Sequence, residues 1–76
     1  MKLPIVSAKK VIKALSSFGF NISRQSGSHV IMTKYIGNQK ITVIVPKHSE
    51  LAKGTLLSIV SQSGISKEEF IKLLEK

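Results

Sequence analysis

Apolar residues near the start of the chain recur at helical spacing. Ala8, Val11, Ile12, Leu15 and Phe18 share one side of a helix predicted over residues 7–18. Ser7 stands where an N-cap is needed, and Gly19 supplies the left-handed residue that ends the helix. Lys9, Lys10 and Lys13 are left on the outer face. The period then shortens from helical to two. Residues 21–25 alternate weakly and break at Ser26-Gly27, which predicts a first, edge-like strand. Residues 28–36 and 39–45 are β-branched and alternating. They are joined by Gly37-Asn38, a pair suited to the positive φ angles of a tight hairpin.

A two-residue turn sets the register of that hairpin: Ile36 faces Gln39, Lys34 faces Ile41, Met32 faces Val43, Val30 faces Val45 and His29 faces Pro46. One face then carries Val30, Met32, Ile41, Val43 and Val45, a core face interrupted only by Lys34 at its rim. The other carries His29, Ile31, Thr33, Tyr35, Lys40, Thr42 and Ile44. His29 is therefore expected to point away from the core. Pro46 ends the third strand, and residues 47–54 read as a polar connection to a helix over residues 55–63. That helix buries Leu56, Ile59 and Val60 and closes at Gly64. A last helix opens with a capping box, Ser66 with Glu69, and a hydrophobic staple, Ile65 with Phe70. Phe18, Phe20 and Phe70 are read as core. The sum is an α+β two-layer domain in the order α-β-β-β-α-α, with a three-stranded antiparallel sheet under helices on one face.

Length and charge narrow the function. A chain of 76 residues is read as one domain spanning residues 1–76, with room for a single core. No segment is long and charge-free enough to span a bilayer, and the first residues do not resemble a secretory leader. The absence of cysteine excludes a disulfide framework and fits a cytoplasmic setting. Twelve Lys and Arg against four acids give a net charge of +8; the acids are all Glu, and none occurs in residues 1–49. So long a basic stretch points to a polyanionic partner, because Lys and Arg release the counterions condensed on phosphates.

Three local motifs stand together on this frame. Gly27-Ser28-His29 enters the second strand, Val45-Pro46-Lys47-His48-Ser49-Glu50-Leu51 leaves the third, and Lys53-Gly54-Thr55-Leu56 opens the next helix. In this order and on this length they resemble the HicA family of toxins, and the resemblance runs from the first helix to the terminal residues 65–70. It implies a fold similar to double-stranded-RNA-binding domains, ribosome-independent cleavage of messenger RNA, and silencing by a HicB-like antitoxin. It also implies that His29 is the catalytic histidine.

Histidine suits such work because its ordinary pKa of about 6.5 allows it to give or take a proton near neutral pH. The chemistry expected is attack of the ribose 2′-hydroxyl on the adjacent phosphorus, without metal or cofactor. His48 is a possible helper or a loop histidine contacting backbone, and Ser28 either bonds a phosphate oxygen or only begins a strand. With no Asp, and only Glu50 nearby, a serine triad is disfavoured; two His and no Cys argue against a metal centre. RNA contacts are expected from Lys9, Lys10, Arg24, Lys34, Lys40, Lys47 and Lys53, with Gly54 and Thr55 at a helix N-terminus and Tyr35 as the outward aromatic. Two rival readings remain: an RNA-binding module without chemistry, and a DNA-binding regulator. The helix over residues 55–63 carries no Lys or Arg, which disfavours the second.

Overall fold

The computed structural model describes residues 5–75; Met1–Pro4, where the segment unlike a secretory leader begins, and Lys76 lie outside the described residues. The element order is α1 (Ala8–Ser17), β1 (Asn21–Ser26), β2 (His29–Ile36), β3 (Gln39–Pro46), α2 (Lys53–Ser63) and α3 (Lys67–Leu74). The strands form one antiparallel meander in the order β1-β2-β3, and the helices lie on one side of it. This is the α+β architecture that the periodicity predicts.

Each helix begins and ends for a local reason. Ser7 Oγ accepts the Lys10 N–H at 3.2 Å and caps α1, while Gly19, at φ 93°, carries the chain away from its end. Ser66 Oγ does the same for the Glu69 N–H of α3 at 3.2 Å. Such a cap is worth about 1 kcal/mol. The hairpin between β2 and β3 has the predicted register at every pair, including His29 with Pro46. Gly37, at φ 60°, makes its turn possible without the penalty a side chain would incur there.

The core is the face the alternation predicts. Val30, Met32, Val43 and Val45 are buried under Val11, Leu15, Leu56, Ile59, Phe70 and Leu74. Burying each such side chain stabilises the fold by roughly 1.5–3 kcal/mol. Phe20 and Phe70 are buried, and Phe18 packs half-buried at the margin. Lys34, the one break in the apolar face, lays its stem beside Gly19 and its ammonium 5.8 Å from the Phe20 ring centroid. It covers the core edge while its charge remains in water.

Two details differ from the sequence expectation. Between Ile22 and Arg24 the pairing of β1 with β2 shifts by one residue, a β-bulge. Ile22 pairs with Met32 on the core side, yet Arg24 pairs with Ile31 on the outer side, because the extra residue reverses the alternation. In addition, α2 starts at Lys53, two residues before the expected position, and residues 47–52 are tied down rather than simply polar. Leu51 is buried and its N–H donates to the Val6 carbonyl at 2.9 Å, while the His48 carbonyl accepts the Ala8 N–H at 3.0 Å.

Candidate functional site

The turn from β1 to β2 sets the position of His29. Ser26 pairs with His29 across Gly27 and Ser28, and Gly27 has φ 35°, a value that L side chains rarely adopt. His29 thus stands at the first position of the central strand. Its ring is exposed, and its Nδ1 lies 2.9 Å from Ser28 Oγ. A hydroxyl accepts a hydrogen bond as readily as it donates one. When Nδ1 carries a proton and donates it to Ser28, Nε2 is the nitrogen left to exchange a proton.

Across a groove from His29 runs one side of α2, from Gly54 to Gln62. His29, Ile44, Pro46, Gly54, Thr55, Ser58, Ile59 and Gln62 line one open groove of about 360 Å³. Helix α2 is held there by Gln62, whose Oε1 accepts the Ile44 N–H from the outer edge of β3 at 3.2 Å, while its Nε2 donates to Ser58 Oγ at 3.1 Å. The bond also satisfies part of an otherwise unpaired strand edge. The N-cap of α2 is Ala52, which has no side chain to accept a bond. The first intrahelical bond runs from the Leu56 N–H to the Ala52 carbonyl at 2.9 Å, so the N–H groups of Lys53, Gly54 and Thr55 precede it. A helix start with free donors attracts anions.

The expected site residues are dispersed over the surface. Gly54 and Thr55 share the groove with His29, and Ser28 touches its ring. His48 does not share that groove: it lines a second one of about 350 Å³ with Ser7, Lys9, Gln25, Lys47 and Ser49. The Lys47 N–H donates to the Ser28 carbonyl at 2.7 Å and prolongs the β2–β3 pairing. Lys10 lies with Lys13 on the seam between α1 and α3, beside Leu73. Lys53 lies beside Ile5, Glu50 and Leu51. Arg24, Lys40 and Tyr35 occupy the open outer face of the sheet, and Lys34 covers Phe20 on the opposite side.

Ser58 and Gln62 belong to the groove although no motif names them. Their signal is the polar series Gly54, Ser58 and Gln62 at i, i+4 and i+8, one stripe of α2 next to its buried face.

A comparison with curated proteins finds no match. The family described as HicA toxin of bacterial toxin-antitoxin matches residues 8–65. The match opens at α1, takes in the sheet, His29 and all of α2, and stops at Ile65, so that α3 lies outside it. That span is most of the molecule and includes both walls of the groove, and the chain belongs to the HicA toxin family.

Proposed function

We propose that this toxin is a metal-independent endoribonuclease that cuts messenger RNA without the ribosome, with His29 as its proton-transfer group. The observation that supports it best is the meeting, across one groove, of the Ser28-bonded His29 and the uncapped start of α2. The scissile phosphate lies between them. Neutral His29 takes the ribose 2′-hydroxyl proton at Nε2 as the 2′-oxygen bonds to phosphorus. The same nitrogen, now protonated, delivers a proton to the departing 5′-oxygen as the P–O5′ bond breaks. The products are a 2′,3′-cyclic phosphate and a 5′-hydroxyl. In both steps Nδ1–H donates to Ser28 Oγ, so one arrangement of the side chains serves the whole reaction.

Charge develops on the non-bridging phosphate oxygens, and donors aimed there in advance lower the barrier. The N–H groups of Gly54 and Thr55 take that role. Lys53 and Lys47 add positive charge to the approach of the RNA, as does Lys9 from the second groove. DNA, without a 2′-hydroxyl, is not cut, and chelators leave the rate unchanged. The toxin family implies an antitoxin partner. We assign that partner as a HicB-like protein that presents acidic side chains and covers His29, acting with the toxin in the cytoplasm.

The test is cleavage of a defined RNA in EDTA by the wild type and by His29→Ala, with circular dichroism to verify that both are folded. Cleavage by the wild type alone is expected. Equal cleavage by the two removes His29 from the mechanism, and no cleavage by either leaves an RNA-binding module without chemistry.

A further inference from the structure

The outer face of the sheet carries an exposed aromatic that the fold does not need. Four rows of side chains cross this face. Ser26, His29 and Pro46 form the first; Arg24, Ile31 and Ile44 the second; Asn21, Thr33 and Thr42 the third; Tyr35 and Lys40 the fourth. The helices pack against the other side, on Val30, Met32, Val43 and Val45. Tyr35 is 68% exposed and Ile44 46%, whereas Phe20 and Phe70 are buried. Residues 21–46 contain no acid.

We propose that this face is a path for single-stranded RNA leading away from His29, and that Tyr35 stacks one base of the strand at its far end. The inference rests on the reading of His29 as the point of cleavage. Tyr35 lies six steps along the strand from His29, about 20 Å at 3.3 Å per residue. That is more than half of the longest dimension of the molecule, 34 Å, and it spans several nucleotides of an extended strand.

The chemistry of the rows suits such a ligand. Arg24 in the second row and Lys40 in the fourth meet phosphates, and the exposed Asn21 and Thr42, on either side of the buried Thr33, offer donors and acceptors between them. An exposed ring stacks on any base, so the contact holds the strand without reading its sequence. A duplex keeps its bases stacked internally and has none to place on Tyr35. The path therefore selects single strands. The bulge in β1 is part of the device, because without it Arg24 would face the core side.

Tyr35 is the chain's one tyrosine and there is no tryptophan, so its own emission reports the contact. The experiment titrates the wild type with a 2′-O-methyl single-stranded oligonucleotide, which has no nucleophile and stays intact. Saturable quenching is expected, with much weaker quenching by a duplex of the same sequence. In cleavage assays Tyr35→Ala is expected to raise KM roughly tenfold on a long single strand, and Tyr35→Phe to restore it. Shortening the RNA to a dinucleotide removes the advantage of wild type over Tyr35→Ala.

Unchanged emission, or quenching by duplex and single strand alike, overturns the path even if the wild type cleaves RNA, and assigns the face to a protein partner instead. Quenching and strand preference without any cleavage keep the path and remove the nuclease reading.

Discussion

Two grooves of nearly equal size each pair a histidine with the start of a helix, and they have opposite hydrogen-bonding states. In the groove of His48, the start of α1 is already served: Ser7 Oγ holds the Lys10 N–H and the His48 carbonyl holds the Ala8 N–H. The histidine contributes its backbone to the fold. In the groove of His29, α2 starts at an alanine whose side chain caps no donor, and the histidine offers its ring, braced by Ser28. A helix start left without a cap gives up about 1 kcal/mol of stability. On the proposed reading, one groove is spent on folding and the other is kept open for the anionic phosphate of the RNA.

The largest test of this contrast is His29→Ala. Acid–base catalysis contributes about 10²–10⁴ to a rate. Single-turnover cleavage of a defined RNA is expected to fall by at least about a hundredfold, with an unchanged circular dichroism spectrum. If the rate holds, the two grooves are equivalent and the comparison fails.

Ser28→Ala comes next. Loss of one hydrogen bond that orients the ring and selects its tautomer is expected to lower kcat by about tenfold. KM should hold, and Ser28→Thr should recover most of the rate. A change in KM alone would make Ser28 a phosphate contact instead.

The caps supply a reciprocal pair with a smaller effect. Ala52→Ser installs the missing cap on α2 and is expected to add about 1 kcal/mol in urea denaturation. The new hydroxyl takes up a donor of the site, so cleavage should weaken by about twofold to fivefold. Ser7→Ala should lose about 1 kcal/mol of stability and leave cleavage as it was. A rise in both stability and activity for Ala52→Ser would show that the free donors of α2 serve no ligand. The smallest effect belongs to His48→Ala, whose cleavage rate should stay within about twofold of the wild type, since its ring lines a different groove from that of His29.

Much of this could be read from the chain because the determinants are near neighbours. The Gly37-Asn38 turn dictates the hairpin register, and that register puts His29 on the face opposite Val30 and Met32. Capping by Ser7 and Ser66 depends on donors three residues away. The motif Gly27-Ser28-His29 singles out the histidine, whereas the contact of its ring with the Ser28 hydroxyl comes from the conformation of the turn, because neighbouring strand side chains otherwise alternate faces.

The limits were also local. The bulge in β1 adds a residue and breaks the period of two, so alternation could not put Arg24 on the face of His29. The early start of α2 was hidden because Ala52 is not a capping residue and Gly54 is a poor helix former. His48 follows Pro46 closely in sequence, but its carbonyl is drawn to Ala8, and the chain turns it toward α1.

By itself, then, the sequence determined the elements, the hairpin register, the core face and the outward position of His29, since turn chemistry, capping and side-chain period act over a few residues. Only the tertiary structure decided what His29 meets. Packing of Leu56 and Ile59 on the sheet, with Gln62 bound to the edge of β3, brings the open start of α2 across from a ring more than twenty residues earlier in the chain. Where a helix docks depends on contacts between residues distant in sequence, and no local pattern encodes it.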